Sequence, residues 1–138
     1  MNVLIDTNVI LDVLLERKPY YENAARINVL CEKGYINGYI SASAVTDIFY
    51  VAKKELKNKD TVAELLKNVL RTTRIASVTE SDINEALNLR GDDFEDSVQY
   101  VIGESISAEY IITRNPKDFV NSRIKAVSPN EFLSIMAS

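Results

Sequence analysis

The stretch "LIDTNVILD" (residues 4–12) decides how the rest of the chain is read. Val3, Leu4 and Ile5 form a short apolar run that meets Asp6, Thr7 and Asn8 without transition. A brief apolar run closed by polar residues reads as a buried strand. The apolar pattern that resumes from Asn8 to Leu15 reads as a short helix. A strand apolar at consecutive positions is covered on both faces, as in a parallel sheet flanked by helices. Asp6 then stands directly after a central strand.

The same punctuation recurs along the chain. Helical spacing covers Tyr20 to Glu32, and Gly38-Tyr39-Ile40 is a second strand. Ser41 and Ser43 are candidate N-caps for a helix from about Ala44 to Leu56. Lys57-Asn58-Lys59-Asp60 is a polar break before a helix over Thr61 to Arg71. Ile75 to Val78 reads as a third strand. Thr79 and Asp82 have capping-box spacing and open a helix to about Leu89. Gly91-Asp92 is a turn, and Phe94, Val98, Val101 and Ile102 place a helix over residues 93–106. Tyr110-Ile111-Ile112 is a fourth strand and Lys125-Ala126-Val127 a short fifth. Ser128, Pro129 and Glu131 cap a last helix. Strands alternating with helices predict an α/β fold: a three-layer α/β/α sandwich around a parallel sheet of four to five strands. With 138 residues and no repeat or linker, the chain reads as one domain over residues 1–138.

Composition removes many chemistries. The chain has no histidine and a single cysteine. No Ser-His-Asp triad, Cys-His pair or Cys/His zinc site can form, and Cys31 has no partner for an internal disulfide. In its helical context Cys31 reads as a packing or surface residue. The four glycines form neither a G-x-x-x-x-G-K-[ST] loop nor a G-x-G-x-x-G turn. No apolar run nears the roughly 20 residues of a membrane span, and Asp6 and Asp12 interrupt the one N-terminal apolar stretch. These features predict a cytoplasmic protein with no membrane partner. The net charge of −4 argues against general attraction to nucleic acid, although a carboxylate metal site would weigh heavily in that sum.

Ligands of parallel α/β sheets collect beyond the carboxyl ends of the strands, and the acids sort by that rule. Asp6 follows strand one; it is also a good N-cap for the next helix. Asp47 lies about one turn into the helix after strand two. Its rival Glu55 is eight residues further, roughly 12 Å away along the axis. Asp93 and Asp96 open the helix that feeds strand four, so they stand at the same edge, although Asp93 also fits an N-cap and Asp96 a capping box. Asp118 follows strand four in Thr113-Arg114-Asn115-Pro116-Lys117-Asp118, where Asn115 reads as an N-cap. Clustered carboxylates repel one another, and a hard divalent ion such as Mg²⁺ or Mn²⁺ resolves the conflict. Metal-assisted hydrolysis of a phosphodiester follows as the reaction class.

These segments resemble the PIN-domain family, small α/β/α ribonucleases that include VapC-type toxins. "LIDTNVILD" matches the opening motif, "SASAVTDIFYVAKKEL" the second, "DFEDSVQY" the third and "YIITRNPKDF" the fourth. The resemblance implies Asp6, Asp47 and Asp96 as catalytic acids and Asp6, Asp47, Asp93 and Asp96 as the metal set. Thr7, Asn8, Thr113, Asn115 and Asp118 would support them. It departs at two places: Asp47 stands where many members carry Glu, and Asn115 where many carry Asp. The resemblance further implies a divalent-cation-dependent endoribonuclease, the toxin of a toxin–antitoxin pair, with an RNA substrate, an antitoxin partner and a homodimeric state.

Secondary features leave alternatives open. Arg114, beside the acids, is a candidate phosphate contact. Lys53, Lys54, Lys57 and Lys59 read as an RNA-facing run or a solvated helix end. Tyr20-Tyr21 reads as a base-stacking pair, as helix-face packing or as a dimer contact. Asp12, one turn beyond Asn8, reads as a supporting or surface acid. Asp6-Thr7-Asn8 also resembles the D-x-D opening of aspartate-nucleophile phosphatases. A catalytically silent module that binds a metal or a partner at the acid rim is the other alternative.

Overall fold

The computed structural model describes residues 1–119 and 122–138. Five parallel strands form one sheet in the order β3-β2-β1-β4-β5. In chain order the elements are β1 (Asn2–Ile5), α1 (Thr7–Leu14), α2 (Tyr21–Glu32), β2 (Asn37–Ser41), α3 (Ala42–Leu56) and α4 (Lys59–Leu70). Then come β3 (Arg74–Ala76), α5 (Glu80–Leu89), α6 (Phe94–Ser105), β4 (Tyr110–Ile112), a 3₁₀ turn (Pro116–Phe119), β5 (Lys125–Val127) and α7 (Pro129–Ala137). Among the described residues, no helix is long and apolar enough to cross a membrane.

β1 is the central strand, and its apolar run explains why. Val3 and Ile5 pack with residues of α1, α2, α3, α4 and α7 on one face, while Leu4 packs with α5 and α6 on the other. All three are 0–1% exposed. Each such side chain contributes about 1.5–3 kcal/mol by leaving water, and only a strand covered on both sides collects that three times in succession. Register pairs Val3 with Gly38 of β2 and with Tyr110 of β4. Gly38 is required by packing: a Cβ there would stand 2.5 Å from Cys31 Sγ and 3.0 Å from the Ile5 side chain.

Most element ends sit where local chemistry places them. Ser41 caps α3 by accepting from Ala44 N, Ser128 caps α7 by accepting from Glu131 N, and Thr79 with Asp82 forms the complete capping box of α5. Several boundaries differ by one or two residues from the sequence reading, and three have a clear local cause. α1 begins at Thr7 because Asp6 itself is the N-cap. α4 begins at Lys59 rather than Thr61, because Asn58 accepts from Asp60 N and Thr61 N and turns the expected break into a cap. β3 is Arg74–Ala76 rather than residues 75–78, because its partner β2 ends at Ser41, opposite Ala76.

The sheet order reverses at β1. From β1 the chain goes to β2 on one side and later to β4 on the other. Connections leave that point in opposite directions, and a crevice opens beyond the carboxyl ends of β1 and β4.

Candidate functional site

Asp6 stands at that crevice. Its N–H donates to Ile112 O of β4 at 2.9 Å, so the backbone is still held in the sheet while the side chain leaves it. Three donors from three parts of the chain hold its carboxylate. Thr7 N donates to Oδ1 at 2.8 Å, Gln99 Nε2 of α6 donates to Oδ1 at 3.0 Å, and Thr113 Oγ1 donates to Oδ2 at 2.8 Å. The N-cap role and the site position coincide in one residue: the helix contributes one donor, and tertiary partners contribute the other two.

Asp6, Asp47, Asp93 and Asp96 all line one open cleft of about 570 Å³, together with Thr7, Asn8, Asn115 and Asp118. Asp47 reaches it from the second turn of α3, beyond Ser41 and Ser43, which line the same wall. Glu55 does not line the cleft and stands 3.6 Å from Arg17 as an exposed ion pair. Asp93 caps α6, its Oδ1 accepting from Asp96 N at 3.1 Å. Asn115 donates its N–H to Thr113 Oγ1 and accepts from Asp118 N through its carbonyl, so the turn after β4 is tied together around Thr113. Thr113 itself is fully buried behind Asp6.

The electrostatics of the cleft are those of uncompensated acids. Burial, followed by the charges of Asp93, Asp6, Asp118 and Glu95, pushes Asp96 up to about 6. Among the described residues no group of three acidic or thiol side chains converges as a ready-made metal cage. Magnesium-type sites commonly use one or two carboxylates and retain several waters, and a cleft walled by separated carboxylates suits such a hydrated ion. Gln99 Oε1 is buried there without a hydrogen-bond partner among the described residues. The donor set is wholly oxygen, which matches a hard divalent cation.

Two residues lie apart from the positions read from sequence. Asp12 is not a surface acid: it is fully buried, and its Oδ2 is 3.0 Å from Arg114 Nε. The contact is an ion pair without hydrogen-bond alignment. Arg114 does not line the cleft; its guanidinium stacks 4.1 Å from the centre of the Tyr20 ring. Desolvation raises the Asp12 pKa, against the lowering influence of Arg114 and Arg17. The periodicity of α1 carried the signal, since Asp12 falls among Leu11, Leu14 and Ile10 on the buried side. Gln99 is a residue of the site that the sequence reading does not single out. It lies on the core side of α6 with Val98 and Ile102 and is 5% exposed, and a polar side chain at such a position requires a partner.

A second cavity of about 450 Å³ adjoins the first through Asp93, Asp96 and Asp118, with Tyr100, Lys117 and Phe119 among its walls.

A family model of the PIN domain matches residues 2–117. No curated protein sequence matches the chain. Among solved structures, the chain is similar to a chain of a toxin–antitoxin complex from Klebsiella pneumoniae, with 22% identity, a TM-score of 0.67, and 92% of this chain and 97% of that one covered. It is similar to VapBC2 from Rickettsia felis, solved bound to a DNA fragment from its promoter, with 17% identity, a TM-score of 0.70 and coverage of 93% and 98%. It is also similar to VapC20 of Mycobacterium tuberculosis, described as a sarcin-ricin-loop-cleaving toxin, with 14% identity, a TM-score of 0.64 and coverage of 79% and 86%. These likenesses establish a shared fold, and the family model spans most of the sequence. The chain belongs to the PIN-domain family.

Proposed function

We propose that the protein is a divalent-metal-dependent endoribonuclease and the toxin of a toxin–antitoxin pair. One observation carries the reading: Asp6, Asp47, Asp93 and Asp96, from three separate segments, line one cleft at the point where the sheet order reverses. These acids would hold Mg²⁺ or Mn²⁺. Such an ion supplies an activated water and neutralises charge developing on a phosphate.

The chain's own part is positioning. Thr7, Gln99 and Thr113 fix Asp6 in one orientation. Asp93 holds the first turn of α6 and with it the backbone that carries Asp96. Asn8 Oδ1 accepts a long 3.4 Å bond from Arg114 N, which ties α1 to the turn after β4. Asn115 presents a neutral amide at the rim, so one charge fewer opposes the approach of an RNA phosphate. Antitoxin binding, a homodimeric state and action in the cytoplasm belong to the same proposal; the assemblies in which structural relatives were solved support the partner.

The test is cleavage of single-stranded and structured RNA with Mg²⁺ or Mn²⁺, against EDTA. Wild type is expected to cut only with the cation, and Asp6→Asn and Asp96→Asn to lose cutting while keeping the fold. Cation binding without any RNA cleavage would leave the silent binding module instead. Wild-type cleavage by a clean Asp96→Asn preparation would reject the nuclease assignment.

A further inference from the structure

We infer that Gln99 is a positioning residue of this site, acting on Asp6 with its amide nitrogen and on the hydration shell of the bound cation with its amide oxygen. The inference rests on the metal-dependent reading above. An ionised carboxylate offers about four acceptor sites. Thr7 N and Gln99 Nε2 occupy those on Asp6 Oδ1, and Thr113 Oγ1 takes one on Oδ2. One site therefore remains, on Oδ2, through which Asp6 would hold a cation. Without Gln99, Oδ1 keeps only the Thr7 N–H, and the carboxylate is held by two donors in place of three.

The other end of the same amide also faces the site. Gln99 is 5% exposed, lines the cleft, and its Oε1 is buried with no donor among the described residues. Reversing the amide does not relieve this, because it would set the oxygen against Asp6 Oδ1. Buried acceptors in native proteins nearly always have a donor. A group bound in the cleft would supply the donor that Oε1 lacks. A divalent ion that keeps part of its water shell brings O–H groups of that kind. Gln99 also sits one turn beyond Asp96 on α6, so a single helix carries one acid of the cleft and the residue that aligns another.

Manganese affinity of the full chain provides the test, measured by calorimetry with Mn²⁺ as the probe. Gln99→Met keeps the length and apolar stem but removes both polar ends. It is expected to weaken Mn²⁺ binding about 10–100-fold, the usual effect of losing a group that orients a metal ligand, with the thermal midpoint of the cation-free protein retained. Equal Mn²⁺ affinity in wild type and Gln99→Met overturns the assignment of Gln99 and leaves the metal reading intact. Failure of wild type to bind Mn²⁺ rejects the metal reading itself. A second measurement needs no variant: the Gln99 side-chain NH₂ of wild type is expected to exchange slowly and its NMR signals to move on Mg²⁺ addition. A freely exchanging amide that ignores Mg²⁺ refutes the inference even if Gln99→Met does not fold.

Discussion

Replacing Arg114 by Met should cost stability in a way that depends strongly on pH. Asp12 is fully buried and Arg114, whose side chain is 25% exposed, stands 3.0 Å from it. Removing one member of a buried ion pair typically costs about 3–5 kcal/mol, because the survivor is left charged without compensation. Asp12 has an escape, which is to take up a proton. Burial holds the native pKa of Asp12 above its ordinary 3.8, so at about 1.36 kcal/mol per pH unit protonation costs less than ~4 kcal/mol at pH 7 and less than ~1.6 kcal/mol at pH 5. That cost is the ceiling on the electrostatic loss. Arg17, which also lowers the Asp12 pKa, remains in the variant and reduces the loss. The lost stack on Tyr20 adds roughly 0.5–1 kcal/mol independent of pH. Urea unfolding should therefore show Arg114→Met weaker by about 2–4 kcal/mol at pH 7 and by about half that at pH 5. Asp12→Asn combined with Arg114→Met should recover most of the difference. A loss under about 1 kcal/mol at pH 7, or an equal loss at both pH values, would refute the view that Asp12 is held as a buried charge.

Asp96 sets a second pH effect. Its native pKa of about 6 exceeds the ordinary 3.8, so the folded state binds more protons between those values and stability falls as pH rises through that window. Full burial would make this ~3 kcal/mol and solvent screening reduces it to about 1 kcal/mol; Asp96→Asn should flatten the slope in cation-free thermal melts from pH 4 to 7. Gly38→Ala should destabilise the fold by about 1–3 kcal/mol through overpacking, and Cys31→Ala should relieve part of it, since the new methyl meets Cys31 Sγ; equal penalties with and without Cys31 would contradict that contact. Cys31 is buried and its thiol is pushed up to about 11. Iodoacetamide should therefore label it at neutral pH only after unfolding, and rapid native labelling would show the α2 packing to be looser than described.

The layered fold was legible because its signals are local and repeated. Short apolar runs at Val3–Ile5 and residues 110–112 mark strands buried on both faces, and Ser41, Thr79 and Ser128 announce helix starts through hydroxyl groups three residues ahead of the N–H they accept. The acids were legible for a related reason. In a parallel sheet the direction of each strand dictates the edge at which a following residue stands, so Asp6, Asp47, Asp93 and Asp96 could be assigned to one rim without coordinates. Where the local signal was ambiguous the reading slipped. The run Lys57 to Asp60 has the composition of a break, yet Asn58 uses it to cap α4.

By itself, then, the sequence determined the α/β alternation, the element caps and the edge at which the acids gather, since each depends on neighbours within a few residues. Only the tertiary structure decided how the side chains at that edge are partnered. Gln99 lies 93 positions from Asp6 and Thr113 lies 107, yet both hydrogen-bond it. Arg114 belongs to Asp12 and Tyr20 rather than to the cleft. The physical reason is desolvation. Once α1 and α6 close over the sheet, burial favours internal partners for Asp12, Thr113 and the Gln99 amide nitrogen, and the fold, not proximity in sequence, determines which partners are in reach.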